Sequence, residues 1–108
     1  MYVTENTAGN LALALHELGT NATKYGALSR EGGSVSLRWT MTEQEGRRMV
    51  ALEWQERGGP EVVPPSHEGY GSRVIRNALR GNDREVALDF NPSGVHCRIC
   101  FALPQQAL

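Results

Sequence analysis

Three polar residues on the first predicted helix have the types and the spacing to bind a charged ligand. Glu17, Asn21 and Lys24 are four and three residues apart, so on a helix their side chains fall within roughly 60° of one another. A carboxylate can take a proton or hold a water molecule, and a carboxamide oxygen can ligate a hard cation. An ammonium group can bind a phosphate. A solvated helix face is the alternative interpretation, since mixed polar faces are common on surface helices.

A glycine-rich segment over residues 57–71 is a second candidate site. Gly58-Gly59 and Gly69-Tyr70-Gly71 leave backbone N–H groups free to approach a ligand, and Ser72 is predicted to cap a helix whose N-terminus favours an anion. Arg73 would add positive charge in the first turn. The pattern is not a P-loop, because no lysine follows the glycines, and it is not a dinucleotide fingerprint, because an antiparallel strand pair precedes it. A plain connecting loop fits these glycines equally well.

The tripeptide Trp54-Gln55-Glu56 directly precedes these glycines, at the end of a predicted strand. A carboxylate there could accept a hydrogen bond from an exocyclic amine such as that of adenine. The alternative is an exposed Glu56 at the strand end, with Trp54 belonging only to the core.

Hydrophobic periodicity predicts the elements that must position these residues. Leucines 11, 15 and 18 and Ala22 recur at steps of four and three, which predicts one amphipathic helix over about residues 7–28, ending near Gly26. Alternating segments and turn residues predict the remaining elements, which are strands over 34–42, 48–55, 85–90 and 95–103, a hairpin turn at 43–46, a turn at 91–94, and a short helix from Ser72 to Gly81. This order is typical of an α+β two-layer sandwich, with helices covering one face of the sheet.

Length and charge exclude several classes of protein. The chain has 108 residues, which predicts a single domain over residues 1–108. It has 11 Lys and Arg against 12 Asp and Glu, and a net charge of −1. A charge this small predicts no positive electrostatic potential that would attract nucleic acid or anionic lipid. The longest apolar run, residues 11–15, is too short to span a bilayer. Residues 1–4 are interpreted as an edge in front of the domain, with partner domains upstream. We expect a cytoplasmic protein without nucleic-acid or direct membrane contact.

The cysteine pair Cys97 and Cys100 has the C-x-x-C spacing of some metal and redox sites. Both residues fall in a predicted strand, however, where residues three apart point to opposite faces. A metal ion shared by the two thiols, even with His96 nearby, is therefore not expected.

Taken together, these segments resemble the sequence boxes of the HWE histidine kinases. Residues 16–29, HELGTNATKYGALS, look like the N-box of that family, and Trp54-Gln55-Glu56 looks like the W-x-E of its first glycine box. Gly69-Tyr70-Gly71 resembles the second glycine box. The likeness runs in the right order over nearly the whole chain. It implies a catalytic ATP-binding domain of the Bergerat or GHKL type, which has a mixed β-sheet covered on one face by helices.

The resemblance also implies roles for individual residues. Asn21 would ligate the Mg²⁺ that bridges the ATP phosphates, Lys24 and Tyr25 would lie along the phosphate and ribose path, and Glu56 would face adenine. Glu17 would act as a base or would orient the acceptor imidazole. The implied cofactor-binding set is completed by Gly58, Gly59, Gly69, Tyr70, Gly71, Ser72 and Arg73.

The implied function is donation of the ATP γ-phosphate to a histidine on a separate dimerisation domain of the same protein, in two-component signalling that reaches a response regulator indirectly. His16 is interpreted as a surface or interface residue and not as the acceptor. The segment between the glycine boxes, residues 60–68, has only nine residues and no Lys or Arg, and Gly19 interrupts the predicted helix. The alternatives are a degenerate or regulatory domain without phosphotransfer, a protein-serine kinase of the anti-sigma type, and an interaction module without a ligand.

Overall fold

A computed structural model describes residues 4–63, 70–78 and 84–104. Its elements, in chain order, are α1 (Glu5–Lys24), a short 3₁₀ helix (Ala27–Ser29), β1 (Ser34–Gln44), β2 (Arg47–Arg57), α2 (Tyr70–Ala78), β3 (Arg84–Asn91) and β4 (Gly94–Ala102). The strands form one sheet in the order β1-β2-β4-β3. The predicted α+β sandwich is confirmed.

The sheet is antiparallel at each of its three described pairings, where the resemblance implies a mixed sheet. Short connections are the physical reason for two of these pairings, β1 with β2 and β3 with β4. Glu45 and Gly46 join β1 to β2, and Pro92 and Ser93 join β3 to β4, and a two-residue turn can connect only antiparallel neighbours. Glu45 and Gly46 have φ angles of 52° and 78°, as the type I′ turn of a tight hairpin requires.

Helix α1 begins at a side-chain cap. The hydroxyl of Thr4 accepts a hydrogen bond from the backbone N–H of Thr7 at 3.1 Å, which satisfies a donor at the helix start. Thr4 is therefore the N-cap residue of α1. The helix ends at Lys24, and the chain turns into the 3₁₀ helix instead of continuing to residue 28.

Helix α2 begins at Tyr70, so Ser72 lies inside its first turn and is not its N-cap. Ile75 of this helix is buried, at 1% exposure. The predicted end at Gly81 lies outside the described residues, and so does Gly69. In the described part of the chain, neither helix combines the length and the hydropathy needed to cross a membrane.

The core lies between the helices and the inner face of the sheet. Its buried side chains come from alternate positions of the strands and from one face of each helix, among them Leu18, Val50, Ile75, Leu88, Cys97, Ile99 and Phe101. This alternation is what a sheet with one buried face requires. The cover stops at β1, where Trp39 is paired with the buried Leu52 but is itself 61% exposed.

Candidate functional site

A cavity of about 650 Å³ opens between α1, α2 and the end of the sheet where β2 ends and β4 begins. Cavities of this size accommodate small-molecule ligands and cofactors. Among the described residues, the apolar lining consists of Leu18, Val62, Val63, Ile75, Leu88, Phe90 and Val95, and the rest of the lining consists of Asn21, Tyr25, Gly26, Glu56, Glu61, Gly71 and Ser72. The cavity therefore combines an apolar floor with polar groups from three elements.

The side chain of Glu56 is the most deeply placed polar group of this cavity. The residue is 2% exposed, although it lies at the end of β2, where an exposed residue was the alternative interpretation. Its Oε1 accepts a hydrogen bond from the backbone N–H of Ala27 at 3.0 Å, and its Oε2 accepts one from the indole Nε1–H of Trp54 at 3.0 Å. A buried carboxyl group needs such partners, because its transfer out of water is otherwise costly.

Glycines make room for this carboxyl group. A Cβ atom on Gly26 would collide with Oε1 of Glu56, and a Cβ atom on Gly94 would collide with the backbone carbonyl oxygen of Glu56. Gly94 also has a φ angle of 152°, which few other residues adopt. The chain therefore approaches Glu56 from two sides at distances that exclude any side chain.

The glycine pair after β2 has a packing role. A Cβ atom on Gly59 would lie 2.5 Å from Cα of Ala27, and one on Gly58 would lie 2.8 Å from the carbonyl oxygen of Gly32. Neither glycine is among the described lining residues of the cavity. Their small size lets the strand end pack against the segment that supplies the Ala27 donor.

The predicted polar face of α1 meets the first turn of α2. A Cβ atom on Gly71 would lie 3.0 Å from Oε2 of Glu17, 3.4 Å from Nδ2 of Asn21 and 3.7 Å from its Oδ1. One carboxylate and one carboxamide oxygen are therefore brought together beside the start of a helix. This set of hard oxygen donors fits Mg²⁺, which takes few protein ligands and keeps waters or phosphate oxygens for the rest.

Other predicted site residues lie at the rim of the cavity or away from it. Tyr25 lines the rim and is 75% exposed. Lys24 is exposed and lines a separate shallow groove with His16, while Arg73 is exposed and is not among the described lining residues. Ser72 lines the cavity. Gly69 and the side chain of Tyr70 lie outside what the structure describes.

The two cysteines lie on β4, as predicted. Cys97 is buried in the core, and burial raises the pKa of its thiol to about 12 against the opposing effect of Arg76. Cys100 is only partly buried, and desolvation likewise raises the pKa of its thiol. Within the described residues, no group of three or more His, Cys, Asp and Glu side chains could hold a metal ion.

Sequence reasoning missed the apolar floor and the part played by Trp54. Leu88, Phe90 and Val95 were assigned to strands but not to a site. Their inward positions in the strand alternation were the available signal. The signal for Trp54 was its two-residue spacing from Glu56, which puts both side chains on the same face of a strand.

The chain resembles known proteins in sequence and in fold. No protein-family profile matches the chain. It is similar to the blue-light-activated histidine kinase of Brucella anthropi, with 40% identity over 96 residues, which are 88% of this chain and 20% of that protein. It is also similar to the enzyme of the same name from Brucella ovis, with 39% identity over 79 residues, which are 73% of this chain and 16% of that protein. The chain thus spans about a fifth or less of the length of these curated relatives.

Solved structures show the same fold. The histidine kinase domain of the Erythrobacter litoralis EL346 blue-light activated histidine kinase matches 91% of this chain and 45% of that chain, with a TM-score of 0.70 and 25% identity. A structure of the EL346 kinase matches 96% of this chain and 33% of that chain, with a TM-score of 0.72 and 28% identity. In sequence and in fold, the chain is therefore similar to one part of the blue-light-activated histidine kinases, and in EL346 this part lies within the histidine kinase domain.

Proposed function

We propose that this domain binds Mg-ATP in the cavity and donates the γ-phosphate to a histidine on a separate dimerisation domain of the same protein. The observation that carries the proposal is the buried carboxyl group of Glu56 at one end of an apolar cavity, with the oxygen donors of Glu17 and Asn21 gathered beside Gly71. Such a cavity suits a ligand that has an apolar ring with one polar edge and an anionic tail.

Adenine is the ring that this lining favours. Leu88, Phe90 and Val95 provide apolar surface. Glu56 already accepts hydrogen bonds from two N–H groups of the protein. Its oxygens keep further lone pairs, so the carboxylate can accept more hydrogen bonds but can donate none. The exocyclic amine of adenine supplies such a donor, whereas guanine has a carbonyl group at that position.

The phosphates would lie between α1 and the start of α2. Asn21 would hold the Mg²⁺ ion, which would neutralise charge on the phosphates. Backbone N–H groups in the first turn of α2 favour an anion. Gly71 allows this turn to come close to the polar face of α1, because any side chain there would press on Glu17.

The domain would promote phosphoryl transfer mainly by positioning ATP and the acceptor histidine, and it would form no covalent bond to the phosphoryl group itself. A nitrogen of the acceptor imidazole forms a bond to the γ-phosphorus while the bond from that phosphorus to the bridging oxygen breaks, and ADP leaves with the electron pair. The carboxylate of Glu17 would take the imidazole proton or hold the ring in line. The response regulator then receives the phosphoryl group from the histidine, so its contact with this domain is indirect. We place this activity in the cytoplasm.

A second candidate function is nucleotide binding without phosphotransfer, in a regulatory domain. One observation favours it, since no Lys or Arg is among the described lining residues of the cavity. The transfer step needs positive charge around the γ-phosphate. Binding alone needs less.

Calorimetric titration of Mg-ATP into the 108-residue protein tests the proposal. We expect saturable binding of ATP that is tighter than binding of GTP, and we expect Glu56→Ala to reduce that difference. Absence of ATP binding by the folded protein would refute both candidate functions. Equal binding of ATP and GTP by the wild-type protein would exclude the role given to Glu56.

A further inference from the structure

We infer that Trp54 is a positioning residue that holds the carboxyl group of Glu56 as a hydrogen-bond acceptor, and that it thereby sets the cavity's selectivity for a ring with an exocyclic amine. The inference rests on the proposed function and adds a residue to it. It assigns the indole nitrogen a task beyond filling space in the core.

The geometry provides two fixed attachments, one for each carboxyl oxygen. Trp54 and Glu56 are two residues apart on β2, so their side chains lie on the same face of the strand. The indole Nε1–H donates to Oε2 at 3.0 Å, and the Ala27 N–H donates to Oε1 at 3.0 Å from a segment 29 residues away in sequence. Two donors from different elements fix the plane of the carboxyl group, and loss of either would leave it free to rotate.

The chemistry of the two donors decides what the ligand must offer. An indole N–H and a backbone N–H can donate but cannot accept. Both carboxyl oxygens therefore serve as acceptors for these donors. A carboxylate that accepts at the ring edge selects an amine over a carbonyl group.

Packing alone does not account for the indole. Trp54 is partly buried and lies against the core cluster, and a phenyl ring would cover much of the same apolar surface. Its nitrogen, however, contributes a hydrogen bond to a group that is 2% exposed. Trp54→Phe therefore separates the two roles, because it keeps an aromatic ring and removes the donor.

The test compares Trp54→Phe with the matched control Trp39→Phe, since these are the two tryptophans of the chain and Trp39 is 61% exposed. The readout is the ratio of the dissociation constants for Mg-GTP and Mg-ATP. We expect Trp54→Phe to lower this ratio by about tenfold, which corresponds to one ligand hydrogen bond to Glu56, because the carboxyl group then keeps only its attachment to Ala27. Trp39→Phe should leave the ratio unchanged. If the role of Trp54 were purely structural, Trp54→Phe would weaken the binding of both nucleotides equally and leave the ratio unchanged. An unchanged ratio in folded Trp54→Phe would overturn the inference.

A second measurement requires neither the tryptophan variant nor a nucleotide. The indole N–H groups give separate signals in a ¹⁵N–¹H spectrum, and Glu56→Gln should shift the Trp54 signal upfield while the Trp39 signal stays in place. No shift of the Trp54 signal would overturn the inference even if Trp54→Phe did not fold. If this shift is observed but the wild-type protein binds no ATP, the proposed function fails and the base selectivity assigned to Trp54 fails with it. If the wild-type protein binds ATP but the Trp54 signal is unmoved, only the inference fails.

Discussion

Gly26 faces the Oε1 atom of Glu56 so closely that not even a methyl group fits between them. The added Cβ atom would also lie 3.1 Å from Cα of Ala22. Space alone is therefore a reason for glycine at this position. The end of the predicted N-box and the carboxyl group of the W-x-E motif are in direct steric contact.

Gly26→Ala should lower the free energy of unfolding by roughly 1–3 kcal/mol, because the added methyl group must displace a buried, hydrogen-bonded carboxyl group. Gly19→Ala is the matched control, since nothing lies within 4 Å of a Cβ atom placed there. It should instead stabilise the domain by about 0.5–1 kcal/mol through higher helix propensity. Urea unfolding measures both effects. A Gly26→Ala variant as stable as Gly19→Ala would contradict the close approach.

Asn21→Ala should remove most of the Mg²⁺-dependent affinity for ATP, because it deletes the carboxamide oxygen beside Gly71. The residue is only half buried, so the free energy of unfolding should change by less than about 1 kcal/mol. Thr23→Ala serves as the control, since Thr23 is exposed and hydrogen-bonds to Gly19 of its own helix. Titration calorimetry with and without Mg²⁺ distinguishes the variants. Wild-type affinity in Asn21→Ala would remove the residue from the site.

The isolated domain should bind ATP without phosphorylating itself. His16 is exposed on α1 in a groove that shares no described residue with the cavity, and His96 lies on β4 beside Asp89 at 3.9 Å. In-line transfer needs reacting atoms roughly 3–3.5 Å apart, and residues built into these elements have little freedom to reach the γ-phosphate. His67 lies outside the described residues.

Incubation of the 108-residue protein with labelled ATP tests this expectation. Label should appear only after a dimerisation segment with an acceptor histidine is added. An acid-labile, base-stable phosphate on the domain alone would contradict the expectation. Stable labelling of serine or threonine on an added partner would favour a protein-serine kinase of the anti-sigma type.

The thiol of Cys97 should make the domain less stable in alkali. Burial raises its pKa from 9.0 to about 12, so between these values the unfolded chain loses a proton that the folded chain keeps. The free energy of unfolding therefore falls as pH rises through this window, by up to about 1.4 kcal/mol per pH unit for one proton.

Cys97→Ala should be less stable than the wild-type protein at pH 8 because it leaves a cavity, but its stability should decline less steeply above pH 9. Cys100→Ala is the control, since that thiol is only partly buried and the variant should keep most of the wild-type slope. Denaturant unfolding at a series of pH values gives the comparison. Equal slopes for the wild-type protein and Cys97→Ala would contradict the burial of the thiol.

The sequence was informative where chemistry depends on local spacing. The four-residue step from Glu17 to Asn21 predicts a shared helix face, and both residues adjoin Gly71. The same rule placed Lys24 with them, yet Lys24 is the last residue of α1 and lines a different groove. Helical spacing predicts which way a side chain points from its own axis, but it does not predict where the next helix crosses.

The environment of Glu56 could not be predicted from local pattern, because it depends on long-range packing. Its burial requires Ala27, which is 29 residues away in sequence, to bring a free N–H to the end of β2. It also requires Gly94 on β4 to pass against its backbone. The residues around position 56 indicate neither the contact with Ala27 nor the contact with Gly94.

The tight turn at Glu45 and Gly46 divides the lining of the cavity between two stretches of chain. Leu18, Asn21 and Gly26 precede the turn, while Glu56 and the other apolar lining residues follow it. Residues 41–46 are exposed. Exposed turns of this kind tolerate interruption of the chain. A domain cut there yields two fragments, each with part of the cavity lining, whose reassembly would be favoured by any ligand that binds both parts. The fold is thus suited to a fragment-complementation reporter of that ligand.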